Sequence, residues 1–309
     1  MTKTVPADRK AYIITGPTSG IGRATALELA KHGTVVLVGR DSAKLADVQK
    51  TIEQRRQRAV SVVCDLSEPA SVQKAAAEIA ALNLPIAGLL NNAGIMQMKQ
   101  PTKNTLGWDT TFATNHLGPF AFTEALLSHL PDGANVVFIV SAVEDPERKA
   151  AKAGGMRGGR YISAEASARG EWKPGGSKVP GADAYATSKQ ALLAATMVFA
   201  RETPRLRVNA VEPGLTPGSG LGRDSHPLLS LLFTYVISFL PPFRQHRSTP
   251  ERSARVIAEI LTDESQKTGV YYDEKGRPML GSTLVRDPKF QERVVAETRA
   301  LLATALTLK

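Results

Sequence analysis

The chain of 309 residues contains one cysteine, Cys64, and five histidines. A lone thiol excludes an intrachain disulfide, and the scattered histidines offer no spacing that suggests a zinc site, so no metal is expected. Such sparing use of cysteine fits a reducing compartment, and the cytoplasm is the expected location. The opening stretch MTKTVPADRKAYIITG lacks an apolar run suited to a signal peptide. The uncharged stretch LLSLLFTYVISFL at 228–240 falls short of the roughly 18 residues of a membrane span. A buried packing helix, a lid or wall of an apolar pocket, and peripheral contact with a membrane surface all stay open for it. No internal repeat is present.

The charge is uneven. Lys and Arg exceed Asp and Glu by 39 − 29 = 10. Residues 146–180 hold eight basic and three acidic side chains, so 8 − 3 = 5 of that excess sits in one Gly-rich stretch. No aromatic-interleaved basic motif of a nucleic-acid binder accompanies the stretch. The charge is therefore assigned to a polyanionic cofactor, a lid or solubility, with no nucleic-acid partner. A 42% hydrophobic and 22% charged composition is that of a globular chain able to bury a large core.

Short β-branched runs recur along the chain at 11–15, 34–39, 59–65, 86–92, 135–141 and 207–213, and read as buried parallel strands. Between them lie helical patterns, among them GRATALELAKHG ended by Gly33 and a segment opened by the capping residue Ser42. Further along, Thr249, Pro250 and Glu251 open another helix, GVYYD reads as a last strand and 288–308 as a terminal helix. Alternating strands and helices predict an α/β fold with a doubly wound parallel sheet, whose ligands bind at the carboxyl ends of the strands. The pattern favours a single domain over 1–309. It is interrupted by an inserted, lid-like basic segment at about 143–183 and an apolar, substrate-side segment at about 221–247. A stretch as long as the first without regular structure is usually functional or disordered.

Two motifs carry chemistry. The turn after the first strand, TGPTSGIGRAT, contains Gly16, Gly20 and Gly22, which permit a tight turn and close backbone approach, while the following helix offers its N–H groups to a phosphate. Further on, DAYATSKQALLA places Tyr185 and Lys189 on one helical face at i and i+4. A phenol with a pKa of about 10 is a poor base at neutral pH unless a nearby cation favours its ionised form. Alone, either pattern could be structural.

The spacing T-G-x-x-x-G-I-G resembles that of the short-chain dehydrogenase/reductase family, and the family's other landmarks follow in order. They are NNAG at 91–94, TNHLG at 114–118, Ser141 at the end of the fifth strand, Tyr185 with Lys189, and Pro213 with Gly214 after the sixth strand. The resemblance implies a Rossmann-type fold and a nicotinamide cofactor. It gives Tyr185 the role of proton donor to a carbonyl or base to an alcohol, and Ser141 a hydrogen bond to the reacting oxygen. Lys189 would lower the Tyr185 pKa and hold the nicotinamide ribose, and Asn115 would anchor a water.

The cofactor contacts so implied are Gly16, Thr18, Ser19, Gly20, Ile21, Gly22 and Arg23 at the turn, Asp65 and Leu66 after the third strand, and Asn92, Ala93 and Gly94 after the fourth. Tyr185, Lys189, Pro213, Gly214 and Thr216 complete the set. Gly39 stands where NAD-preferring relatives tend to carry an acid, and Arg40 follows it, so NADP (NADPH) is expected, with the guanidinium pairing the 2′-phosphate. Asp41, one position late, is expected to face solvent or cap a helix.

Within the family the chain looks most like the branch of retinol dehydrogenases and light-dependent protochlorophyllide reductase, which implies carbonyl reduction, or the reverse oxidation, on a lipophilic or polycyclic substrate. Two departures stand out: the long interval from Ser141 to Tyr185, and Gly218 where a threonine is common, with Thr216 and Ser219 nearby as substitutes. Family habit suggests a homo-oligomer built on the helix of Tyr185. The rival readings are a non-catalytic NADP-binding regulatory protein and an epimerase or dehydratase acting on nucleotide sugars. Cys64, Trp108, Trp172 and His116 are read as packing residues.

Overall fold

The computed structural model describes residues 10–217, 221 and 237–307. Its strands are β1 (Ala11–Thr15), β2 (Thr34–Gly39), β3 (Ala59–Val63), β4 (Ile86–Asn91), β5 (Asn135–Ile139), β6 (Arg207–Val211), β7 (Tyr271–Tyr272) and β8 (Pro278–Met279). They form one sheet in the order β3-β2-β1-β4-β5-β6-β7-β8. All neighbours run parallel except the final pair. The strands are almost continuously apolar because both faces are covered, as parallel sheets require. Strand order reverses direction between β1 and β4, and the crevice at that switch point is where such sheets bind ligands.

The principal helices are α1 (Gly20–Leu29), α2 (Ser42–Glu53), α3 (Pro69–Ala81), α4 (Thr110–Phe112), α5 (Gly118–Leu126), α6 (Lys149–Ala153), α7 (Ala164–Arg169), α8 (Ala182–Glu202), α9 (Pro250–Thr262) and α10 (Pro288–Thr307). Leu29 of α1, Leu45 and Ile52 of α2 and Ile257 of α9 pack on one face of the sheet against Ile14, Leu37 and Val211. Ile79 of α3, Phe120 of α5, Phe199 of α8 and Val294 of α10 pack on the other against Ile13, Val136 and Ala210. Helix α10 lies along α8, the helix to which the family resemblance gives oligomer contacts.

Several boundaries differ from the sequence reading. Helix α2 is capped by Asp41, whose Oδ1 accepts the Lys44 N–H at 3.1 Å, and Ser42 is its first helical residue. Helix α1 ends at Leu29, with Ala30 as its cap, ahead of Gly33. Strand β5 stops at Ile139, and Ser141 instead caps a 3-10 turn, Ala142–Glu144. Strand β3 likewise stops short of Asp65. The segment 143–183 carries α6 and α7 and buries Met156, Tyr161, Ala164 and Ala168. Its buried alanines and aromatic are spaced too irregularly to give a periodic signal, so the sequence showed only its Gly and basic residues. Of the apolar stretch 228–240, the part at 228–236 lies outside the described residues, as do Gly218 and Ser219. Ile237–Phe239 is a 3-10 turn. Among the described residues no helix is long and apolar enough to cross a membrane.

Candidate active site

The crevice is floored by the glycine turn. Gly16 has φ +67°, and a Cβ added to Gly22 would stand 2.1 Å from the Gly16 carbonyl oxygen, so neither position tolerates a side chain. Thr15 Oγ1 accepts the N–H groups of Asn92 and Ala93, both at 3.0 Å, and Asn92 Nδ2 donates to the Thr15 carbonyl at 2.9 Å. These bonds lock the turns after β1 and β4 together and set Thr18, Ser19, Gly20, Ile21 and Gly22 at the mouth of α1. Ser19 makes no side-chain cap bond there, and the N–H groups of the first turn of a helix point outward with its positive dipole end. The arrangement suits a pyrophosphate.

Asn115 lies in a π-helical turn, Ala113–Leu117, between α4 and α5. Such turns often mark functional sites, because the extra residue redirects one side chain. Here it aims the fully buried Asn115 at the strand-like stretch after β4. Asn115 Oδ1 accepts the Ile95 N–H at 2.8 Å, and Nδ2 donates to the Ile95 carbonyl at 2.9 Å and to Ser188 Oγ at 3.0 Å. Ser188 is on α8, so the amide ties that helix to the crevice. The next residue, His116, is buried and bonded through Nε2 to Thr298 Oγ1 at 2.9 Å, which is a packing role.

Helix α8 starts beyond Gly181, whose φ of +71° and a hypothetical Cβ only 2.0 Å from the Gln97 carbonyl oxygen require glycine. Tyr185 and Lys189 follow on its inner face, 7% and 3% exposed. Lys189 Nζ donates to the Ile139 carbonyl at 2.8 Å and lies 5.7 Å from the centre of the Tyr185 ring. Gly94 faces both Lys189 and Asn115: a Cβ there would stand 3.4 Å from Nζ and 3.5 Å from Oδ1. The Ser141 hydroxyl lies close enough to Tyr185 to favour its ionised form. The four residues Asn115, Ser141, Tyr185 and Lys189 thus meet at the carboxyl ends of β4, β5 and β6.

Electrostatically, burial dominates. It pushes the Tyr185 phenol up to about 12; the Ser141 hydroxyl pulls down and the charge of Glu212 pushes further up. Burial also brings the Lys189 ammonium down to about 8. Lys189 is not among the groups that set the Tyr185 pKa here, where burial dominates, so the depression that the resemblance implies is not seen.

The remaining positions divide. Leu66 is buried, and Asp65 Oδ1 accepts the Ser67 N–H at 2.9 Å and the Ser67 hydroxyl at 2.7 Å. Pro213 and Gly214 follow β6, and Thr216 is buried with Oγ1 3.3 Å from the Gly214 carbonyl. Arg23 reaches Thr51 Oγ1 at 3.5 Å. Arg40 is exposed just beyond β2, while both Asp41 carboxylate oxygens are engaged by Lys44 through its N–H and, at 2.8 Å, its Nζ.

Sequence reasoning missed a partly buried polar cluster near Tyr185. It comprises Glu212 after β6, Arg148 ahead of α6, His246, Glu274 after β7 and Tyr271 in β7. Arg148 Nη2 lies 3.7 Å from Glu212 Oε2 and 3.5 Å from His246 Nδ1, which is 3.6 Å from Glu274 Oε1. Burial lifts the Glu212 carboxyl to about 7, opposed by Arg148 and reinforced by Glu274 and Asp273. The available signal was the charge itself, standing in RVNAVEP at the end of an apolar strand. Among the described residues no three His, Cys, Asp or Glu side chains are grouped to hold a metal.

Known proteins share this framework. The profile of the short chain dehydrogenase family matches residues 10–153. A chloroplastic protochlorophyllide reductase of Pisum sativum is 28% identical over 284 residues, covering 84% of this chain and 68% of the relative. A short chain dehydrogenase from Burkholderia cenocepacia, solved in complex with NADP, superposes with a TM-score of 0.63 at 24% identity, over 86% of this chain and 96% of the other. Retinol dehydrogenase 12 of Mus musculus is 30% identical over 306 residues, 95% of this chain and 86% of the relative. With the glycine turn and the Asn115, Ser141, Tyr185 and Lys189 cluster in the places the resemblance implies, the chain belongs to the short-chain dehydrogenase/reductase family of oxidoreductases.

Proposed function

We propose that the protein is an NADP(H)-dependent oxidoreductase of one domain spanning 1–309. It would transfer a hydride between nicotinamide and a carbonyl or alcohol of a lipophilic or polycyclic substrate. The observation that carries this reading is the convergence of Ser141, Tyr185 and Lys189, with Asn115 behind them, on the crevice opened by the glycine turn.

The residues fit the cofactor. The first turn of α1 would hold the pyrophosphate, Lys189 the ribose, and Pro213, Gly214 and Thr216 the nicotinamide end. Preference for the 2′-phosphorylated form rests on Arg40, free in solvent beyond β2, and on Asp41, which its cap and Lys44 occupy and which is therefore not poised to hold ribose hydroxyls. The names of the relatives, protochlorophyllide reductase and retinol dehydrogenase 12, support a large apolar substrate.

When bound, NADPH supplies the hydride. The chain supplies the proton and the setting. Ser141 donates a hydrogen bond to the substrate oxygen as negative charge grows on it, and Tyr185, kept protonated by burial, delivers its phenolic proton to that oxygen. Lys189 then faces a phenolate and stabilises it as an ammonium. The reverse oxidation needs the phenolate first. The basic segment 143–183 would border the substrate mouth, while residues 222–236 of the apolar segment 221–247 lie outside the described residues.

The test is the rate of NADPH and NADH oxidation over apolar aldehydes, ketones and quinones, for the native protein and Tyr185→Phe. Turnover with NADPH, at least about 100-fold slower in the variant, is the expected result. Tight NADPH binding without turnover of any carbonyl would instead favour a non-catalytic regulatory protein.

A further inference from the structure

Tyr185 lies between two buried charged side chains, and the family resemblance accounts for only Lys189. The other is Glu212, 8% exposed. Its N–H donates to the Tyr272 carbonyl at 2.8 Å, so the pleat of β6 continues through it. Val208 and Ala210 face the layer that contains α8, and Val211 faces the opposite layer. Alternation therefore turns Glu212 toward the layer of α8. Tyr271, in register with Ala210 on the neighbouring strand, faces the same way.

In that position the carboxylate is poorly compensated. Oε2 has no hydrogen-bond partner among the described residues, and the tyrosine hydroxyl of Tyr271 has none either. The cation beside Glu212, Arg148, stands off at 3.7 Å and lies as close to His246. The groups facing Glu212 are Arg148 ahead of α6, Tyr185 from α8, Tyr271 from β7, and Asp273 and Glu274 from the turn between β7 and β8. His246 sits beyond Arg148 against Glu274. Those facing Tyr185 are Ser141, Glu212, Tyr271 from β7 and, on its own helix, Lys189.

We propose that Glu212 is a positioning residue for the proton of Tyr185: its carboxylate, turned toward α8 with Oε2 accepting no hydrogen bond among the described residues and Arg148 standing 3.7 Å off, holds that proton on the phenol. The consequence is directional. Reduction uses the phenol and is favoured. Oxidation needs the phenolate, which a second negative charge in a water-poor site opposes. Glu212 thus opposes, on that hydroxyl, the role that the family resemblance gives Lys189. The inference rests on the reading of Tyr185 as the proton donor.

The test compares Glu212→Gln and Glu212→Met, which remove the charge, with Glu212→Asp, which keeps it, all with NADP bound. In alcohol oxidation, the rising limb of the kcat/KM pH profile is expected to move down by about one unit in the neutral variants, so that at a fixed pH on that limb they run about tenfold faster. Glu212→Asp should keep the native limb, and the KM for NADP should not change. A second readout needs no turnover: ultraviolet titration of tyrosinate, with the same titration in a Tyr185→Phe background subtracted, should show Tyr185 ionising at lower pH without Glu212. Superimposable limbs and titrations in native and neutral variants would overturn the proposal. Failure of every alcohol and carbonyl to react would defeat the functional reading, and the tyrosinate titration would still decide the role of Glu212. Two neutral variants of different shape keep the test intact if one of them does not fold.

Discussion

Lys189 and Glu212 are both buried, both charged in their ordinary state, and both beside Tyr185, yet they are held in different ways. Lys189 donates to the Ile139 carbonyl at 2.8 Å and sits in a hole bounded by Gly94 and Asn115. Glu212 Oε2 accepts no hydrogen bond among the described residues and is answered by Arg148 at 3.7 Å. Burial moves each toward its neutral form, to about 8 for the ammonium and about 7 for the carboxyl. The difference teaches where the site is pre-organised. On the lysine side the backbone has been shaped to receive a charge, whereas on the glutamate side the charge is opposed by desolvation and has little to answer it.

The largest expected effect comes from removing the organised side. Lys189→Met should lower turnover by roughly 100-fold or more, because Tyr185 loses the ammonium that stabilises its phenolate. Stability should move the other way. The folded pKa of Lys189 is depressed from 10.5 to about 8, so below pH 8 the folded protein carries a buried ammonium that the unfolded chain holds more easily in water. The cost at neutral pH is about 3 kcal/mol, which the methionine relieves. Steady-state rates and thermal melts on the same preparations check both halves; a variant both slow and less stable at pH 7 would break the comparison.

Glu212→Gln sharpens it from the other side. The folded pKa is raised from 4.5 to about 7, so the folded state binds the proton more tightly than the unfolded chain. That contribution is fully present below pH 4.5 and is lost as pH rises through 7. Glutamine does not titrate. The stability difference in favour of Glu212→Gln should therefore grow by about 3 kcal/mol between pH 4 and pH 8.5, a change of several degrees in Tm. A constant difference across that range would mean that the folded pKa of Glu212 is not raised above its value in the unfolded chain.

The same asymmetry explains what could be read from the sequence. The six long strands begin at Ala11, Thr34, Ala59, Ile86, Asn135 and Arg207, where their apolar runs begin, because entry into a buried strand is marked by a change in side chains. Their ends were less legible. Three stop two residues before the apolar run does, and pairing there depends on neighbours distant in sequence. The glycine turn, Asn115, Ser141, Tyr185 and Lys189 were legible because their spacing along the chain is itself the constraint. Glu212 was not, since nothing local says that Arg148, 64 positions earlier (212 − 148 = 64), and Glu274, 62 positions later (274 − 212 = 62), would meet it. Segment 143–183 was read as a loop because its short helices bury alanines, which carry almost no pattern.

Glu144 offers the smallest and most discriminating prediction, because it shares Glu212's environment without its isolation. It is fully buried, and burial lifts it also to about 7, with the bonds from Ser282 pulling down and Asp145 pushing up. Both of its oxygens are answered: Oε1 accepts the Ser282 N–H at 2.7 Å and Oε2 the Ser282 hydroxyl at 2.6 Å. Ser282→Ala would leave Oε2 as unpaired as that of Glu212 while sparing the backbone bond. A buried acceptor deprived of one donor should destabilise the protein by about 1–2 kcal/mol. The loss should be greater at pH 8.5 than at pH 5, since the missing hydroxyl stabilised the charged form and its removal pushes the Glu144 pKa further up. The effect on oxidation rate should be slight, because Glu144 is not among the groups acting on Tyr185. Denaturant unfolding at the two pH values checks this. Equal losses at both would show that Ser282 bonds a neutral acid, and that two buried glutamates of similar pKa are distinguished by their partners without being distinguished by their charge.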